Sequence, residues 1–136
     1  MRRTEECSIK PITADWVAKA EGDYATALRE NEAKPSPNYD AAVFHSQQCA
    51  EKYLKAVLVE ASQDFPKTHD LSVILDLCLS VEPTWESLRE DLHALTDIGV
   101  EVRYPGISAD DEDAGKSIAT ATEARALVRR SLDLPA

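Results

Sequence analysis

The sequence predicts an all-α protein, an up-and-down bundle of four to five helices. Apolar residues recur at steps of three and four through most of the chain, and the breaks between these runs fall at proline and glycine clusters. No segment alternates apolar with polar residues between hairpin turns, and no repeat of fixed period is present.

The first helix is expected from Thr13, which can cap it, to about Asn31, with Trp16, Val17, Ala20, Tyr24, Ala27 and Leu28 at helical spacing. Ala33 to Asn38 then reads as a loop, because Pro35 and Pro37 lack amide donors and bias the residues before them away from helix. The second helix runs from Asn38 or Tyr39 to about Ala61. It is long, rich in good helix formers, and carries Val43, Ala50, Tyr53, Leu54, Val57 and Leu58 on a broad stripe, as a central helix would.

After the break at Gln63 to Lys67, Thr68 or Asp70 caps a short third helix bearing Leu71, Ile74, Leu75, Cys78 and Leu79, which stops near Pro83. A fourth helix is expected from Thr84, with Trp85, Leu88, Leu92, Leu95, Gly99 and Val102 forming a narrow seam suited to antiparallel packing. Arg103-Tyr104-Pro105-Gly106 ends it. The last helix opens with Ser108 and Asp111 at capping-box spacing, places acids near its positive end and Arg125, Arg129 and Arg130 near its negative end.

At 136 residues the chain suits one domain, and it can bury a core without disulfides or metals. Residues 13–132 read as that domain, between an N-terminal tail (1–12) and a C-terminal tail (133–136). No apolar run approaches the 18 residues of a membrane span, and nothing near the N-terminus resembles a secretory signal. Three cysteines without a Cys-x-x-Cys pair suggest neither a disulfide framework nor a zinc ribbon, so a cytoplasmic location is expected. The formal charge of −10 argues against a broad nucleic-acid footprint, although a few cations in a cleft can hold a nucleotide or a short RNA segment.

Ala114-Gly115-Lys116-Ser117 has the ending of a phosphate-binding loop but lacks the earlier glycine, Asp110 standing in its place, and reads as ordinary helix. His45 and Cys49 share a helix face without a second ligand pair, so no metal site is expected. No nucleophile signature of the familiar hydrolases is present. His45, Gln48, Lys52 and Lys55, at steps of three, four and three, form a polar row on the second helix that either lines a groove or is a solvated face. Arg103 offers planar donors suited to phosphate and Tyr104 a ring able to stack on a base; alternatively the arginine neutralises a helix end and the tyrosine packs.

Phe44-His45-Ser46-Gln47-Gln48-Cys49-Ala50-Glu51-Lys52-Tyr53-Leu54-Lys55-Ala56, then Lys67-Thr68-His69-Asp70-Leu71, then Arg103-Tyr104-Pro105, resemble the three signature stretches of the HEPN family (higher eukaryotes and prokaryotes nucleotide-binding) in order and separation. The resemblance extends from about Trp16 to Leu132. It implies a helical bundle like the substrate-binding subunits of nucleotidyltransferases, commonly a homodimer, whose members bind nucleotides, accompany small nucleotidyltransferases, or act as metal-independent, toxin-like ribonucleases. The ribonuclease members carry an arginine, four to six residues, then a histidine. Arg103 is followed by no histidine through Asp110, and Arg89 and His93 have only three residues between them.

The expectation is therefore a homodimeric binding module without a catalytic residue or resident cofactor. Its ligand is a nucleotide, or its partner a nucleotidyltransferase, engaged through His45, Gln48, Lys52, Lys55, Arg103 and Tyr104. The alternative is a ribonuclease in which His45, His69 or His93 supplies the proton-transfer group that such cleavage needs.

Overall fold

The computed structural model describes residues 9–136, so the first part of the expected N-terminal tail, with Cys7, lies outside the described residues. The described residues form five α-helices: α1 (Pro11–Asn31), α2 (Tyr39–Glu60), α3 (Leu71–Cys78), α4 (Arg89–Glu101) and α5 (Asp111–Ser131). A six-residue 3-10 helix, Pro83–Leu88, precedes α4. Among the described residues there is no strand, and no helix is long and apolar enough to cross a membrane.

The bundle is organised around α2, which packs against all four other helices and most extensively against α1 and α5. Its apolar stripe is so wide that Tyr53, Leu54, Ala56, Val57 and Leu58 are all buried, as expected of a central helix. Leu71, Ile74 and Leu75 of α3, and Leu92 and Leu95 of α4, join the same core, where each buried leucine contributes roughly 1.5–3 kcal/mol.

Helix starts differ from the sequence expectation where a tertiary partner competes for the cap. Helix α1 begins two residues before Thr13, with Pro11 in its first turn, where a missing amide costs nothing. Thr13 is instead buried and donates its hydroxyl to Glu60 Oε1 at 2.8 Å, while the Lys10 amide donates to the same oxygen at 3.0 Å. One carboxylate thus ties the start of α1 to the end of α2. Asn38 caps α2 by accepting from the Ala41 amide, and Asp70, not Thr68, caps α3 by accepting from the Ser72 amide.

The expected fourth helix is in two parts. Pro83 supplies no amide, and the tighter 3-10 coil brings Trp85 and Leu88, three apart, onto one side, where both are buried. Val102 closes α4 as its C-cap rather than extending the seam. The capping box of α5 is formed by Asp110 and Asp113, not by Ser108 and Asp111: Asp110 accepts from the Asp113 amide at 2.8 Å, and Asp113 accepts from the Asp110 amide at 3.1 Å. The Ala109 amide is taken by Asp40 Oδ1 at 2.7 Å, which holds this segment against the start of α2 and lets the helix begin only after it.

Candidate functional site: two carboxylate-centred networks on the central helix

The burial of α2 divides the polar row. His45 and Lys52 lie on the side facing α1, where Asp23 receives both: His45 Nδ1 donates to Oδ1 at 2.8 Å and Lys52 Nζ to Oδ2 at 2.6 Å. The two donor side chains keep 29% and 26% of their exposure, so the group is accessible. Because an ionised carboxylate only accepts, Asp23 holds the proton on Nδ1 and leaves Nε2 as the free nitrogen of the ring.

Lys55 is placed differently. Its side chain is 8% exposed, and Nζ donates to Glu51 Oε2 at 2.9 Å and to the Thr68 carbonyl at 3.2 Å. It lies 5.4 Å from the centre of the Phe65 ring and 6.0 Å from that of Trp16, so the cation is balanced by one carboxylate and two aromatic faces. Glu51 Oε1 also accepts from His69 Nδ1 at 2.9 Å, and Gln47 Nε2 donates to the His69 carbonyl at 2.8 Å. Together these bonds fasten the loop between α2 and α3 to the central helix. Gln48 is bound sideways, donating to Gln47 Oε1 at 2.9 Å.

Arg103 and Tyr104 follow the end of α4. The Arg103 guanidinium lies 5.5 Å from the centre of the Phe44 ring, and that ring meets the His45 imidazole edge-on at 5.1 Å. Among the described residues Arg103 has no carboxylate within ion-pair distance, and Tyr104 is 60% exposed. The structure therefore brings Arg103, Phe44, His45, Asp23 and Lys52 into one succession of contacts from the turn after α4 through α2 to α1. It places Lys55 and Gln48 in, or beside, the loop clamp. Sequence reasoning missed Asp23 and Glu51, the carboxylates on which both groups are built. Asp23 is 22 and 29 residues from its partners and Glu51 is 18 from His69, separations that no spacing rule links, whereas the i,i+4 spacing of Glu51 and Lys55 was a signal that could have found that pair.

The remaining motifs have structural positions. Gly115 and Lys116 lie inside α5, with Lys116 paired to Glu112 at 3.0 Å. Arg89 is engaged by Glu86 and Asp76, and His93 stands 3.4 Å from Asp97, each on an exposed surface. Cys49 and Cys78 are buried, and burial pushes both thiols up to about 12, which leaves them protonated and unreactive near neutral pH.

A third carboxylate, Glu21, joins α1 to α5 by accepting from Arg125 Nε at 2.5 Å and Nη2 at 3.0 Å. It also accepts from the Tyr53 hydroxyl, which in turn accepts from Arg129 Nη1 at 3.1 Å. The Arg125 hydrogen bond is the main reason that the Glu21 carboxyl lies below the ordinary glutamate range.

These features define an all-α bundle whose central helix carries two polar networks and whose open edge presents Arg103, an arginine without an ion-pair partner among the described residues. The HEPN domain model matches residues 13–131, and the chain belongs to the HEPN domain family. Two solved structures share the fold. TT1696 from Thermus thermophilus superposes with a TM-score of 0.75 at 20% identity, and ST0689, an archaeal HEPN homologue, with 0.69 at 24%. Each alignment covers 88% of this chain and 97% of the other. A comparison with curated proteins finds no match.

Proposed function

We propose that this HEPN-domain protein is a non-catalytic binding module, acting as a homodimer, that holds a nucleotide by its phosphates at the Arg103 edge, alone or together with a small nucleotidyltransferase partner. The observation that carries this reading is the position of Arg103: exposed, without a carboxylate, and resting on Phe44 beside the His45–Asp23–Lys52 group. A guanidinium so placed has its outer donors free for phosphate oxygens, and Tyr104 is exposed where it can stack on a base. On a chain of net charge −10, discrete contacts of this kind suit a small anion better than a long polyanion. The test is titration calorimetry of the purified protein with nucleoside mono-, di- and triphosphates, with light scattering at the same concentration. Saturable binding by a dimer is expected; no binding to any nucleotide, with or without a nucleotidyltransferase partner, would refute the reading.

One observation favours a second reading, metal-independent cleavage of RNA. The Asp23-oriented His45 has a free Nε2 and lies one aromatic ring from Arg103, so a proton-transfer group and a phosphate-binding group are near each other although the Arg-to-His spacing of the ribonucleases is absent. Incubation with RNA in the presence of a chelator decides between the two: intact RNA is expected, and cleavage abolished by His45→Ala would favour the enzyme.

A further inference from the structure

Helices α4 and α5 are both anchored on α2, but they make few contacts with each other, and a groove of about 480 Å³ runs between them. Its floor is formed by Ala94, Leu95 and Ile98 of α4 and by Ala119 and Thr120 of α5. Leu95 is buried and belongs to the core; Ala94 and Ala119 are exposed and too small to fill the space above it. The rim bears Asp91, Asp113 and Glu123 against one cation, Lys116, which is already paired with Glu112. The lining positions on each helix recur at steps of three and four over about two turns, so the groove follows the helix axes and is about 10 Å long by helix rise.

We infer that this groove is a docking site for a basic amphipathic helix of a partner protein. Two parallel walls with an apolar floor accept a third helix through anchors at i, i+3 or i+4, and i+7, and the alanines leave room for large aliphatic anchors. The rim decides the sign of the partner. A nucleic acid would bring like charge against Asp91, Asp113 and Glu123, and a second copy of this chain, with its excess of acidic residues, would on balance do the same, so the proposed homodimer is assigned to another face. Lysines or arginines flanking the apolar anchors would meet those carboxylates instead. The groove lining shares no residue with the Arg103–Phe44–His45–Asp23–Lys52 succession, so its occupant uses side chains other than those of the proposed nucleotide site.

The experiment uses the full chain and an 18-residue helical peptide of leucines and lysines as the probe, with ¹⁵N chemical shifts locating the contact and anisotropy giving its affinity. The wild type is expected to bind saturably, with shifts concentrated in residues 91–98 and 113–123. Reversal of the rim by Asp91→Lys with Glu123→Lys should weaken binding by about tenfold or more, from lost charge complementarity. The same charge change at exposed residues that do not line the groove, Glu32→Lys with Asp64→Lys, should weaken it clearly less, since salt screens exposed charges with distance. Ala119→Gln, which fills the floor without changing charge, should also weaken it, with circular dichroism verifying that each variant folds. Absence of binding, equal losses from the rim and control variants, or shifts centred on another face would each overturn the proposal. So would a dimer that Ala119→Gln splits into monomers, since a second copy would then occupy the groove.

Discussion

Asp23 and Glu51 do the same thing in two different surroundings. Each carboxylate receives one histidine and one lysine: His45 and Lys52 at Asp23, His69 and Lys55 at Glu51. At Glu51 the carboxylate and the lysine are 5% and 8% exposed, and the lysine also donates to the Thr68 carbonyl of the α2–α3 loop. At Asp23 both donors keep contact with water, and the group ends one ring from a free arginine. The histidines do not make this difference, since His69 is more exposed than His45; burial of the carboxylate and the lysine makes the Glu51 group a clamp and leaves the Asp23 group as the accessible candidate.

The comparison is broken most directly by removing each carboxylate in turn. Glu51→Ala would leave the Lys55 ammonium buried without its counter-charge, and breaking a buried pair in this way costs about 3–5 kcal/mol. Asp23→Ala should cost only about 1 kcal/mol, because water reaches both donors it abandons. Urea unfolding at pH 7 measures both. Equal losses would mean that the two networks do the same structural work and that Asp23 is no more available to a ligand than Glu51.

The sequence made the bundle legible and the division of its polar row illegible, for one physical reason. Helical periodicity is a local signal, and it located α1, α2 and α5 to within about two residues, the expected uncertainty of helix ends, whereas α3 ends at Cys78, well before the expected stop near Pro83. Lys52 and Lys55 stand three apart on one helix; what separates them is that Asp23 of α1 meets Lys52, while Trp16 and Phe65 close over Lys55 and its i,i+4 partner Glu51, which is settled by packing. The same holds for the α5 cap. Ser108 and Asp111 have suitable spacing, but Asp40, 69 residues before Ala109, takes the amide that fixes where the helix starts. Arg103 was legible as a candidate because a turn follows it, whereas its seat on Phe44 was not.

Binding sharpens the comparison next. With a nucleotide as titrant, Arg103→Ala should reduce affinity by about ten- to hundredfold, the loss of one charge-assisted hydrogen bond to phosphate. Arg130, exposed near the end of α5, is the suitable control and should change affinity by less than about twofold. Arg129 is unsuitable because it is largely buried and donates to the Tyr53 hydroxyl. Equal losses from Arg103→Ala and Arg130→Ala would reduce the site to a matter of overall charge.

A smaller effect is expected at the far end of the same edge. Asp110→Ala removes one half of the α5 capping box and should cost about 1 kcal/mol, read from the urea midpoint. Ser108→Ala should be nearly silent, since the Ser108 side chain caps nothing. A larger loss from Ser108→Ala than from Asp110→Ala would place the start of α5 where the sequence pattern alone put it.

The smallest effect belongs to Glu21, and it carries the comparison to a third carboxylate. Its folded form is held below the ordinary glutamate value of 4.5, first by the Arg125 hydrogen bond, against burial, and then by the Tyr53 hydroxyl. A carboxyl lowered on folding adds stability that is fully present above the ordinary value and is lost as the pH falls through the lower, folded one. Since the Glu21 side chain is 35% exposed, solvent screens much of this attraction. Glu21→Gln should therefore lower the urea midpoint slightly at pH 7, and the gap to the wild type should narrow as the pH is taken from about 5 to below 4. A gap of constant size across that range would mean that Glu21 acts through its neutral contacts with Tyr53 and the α1–α5 packing, leaving Asp23 and Glu51 as the carboxylates whose charge organises the central helix.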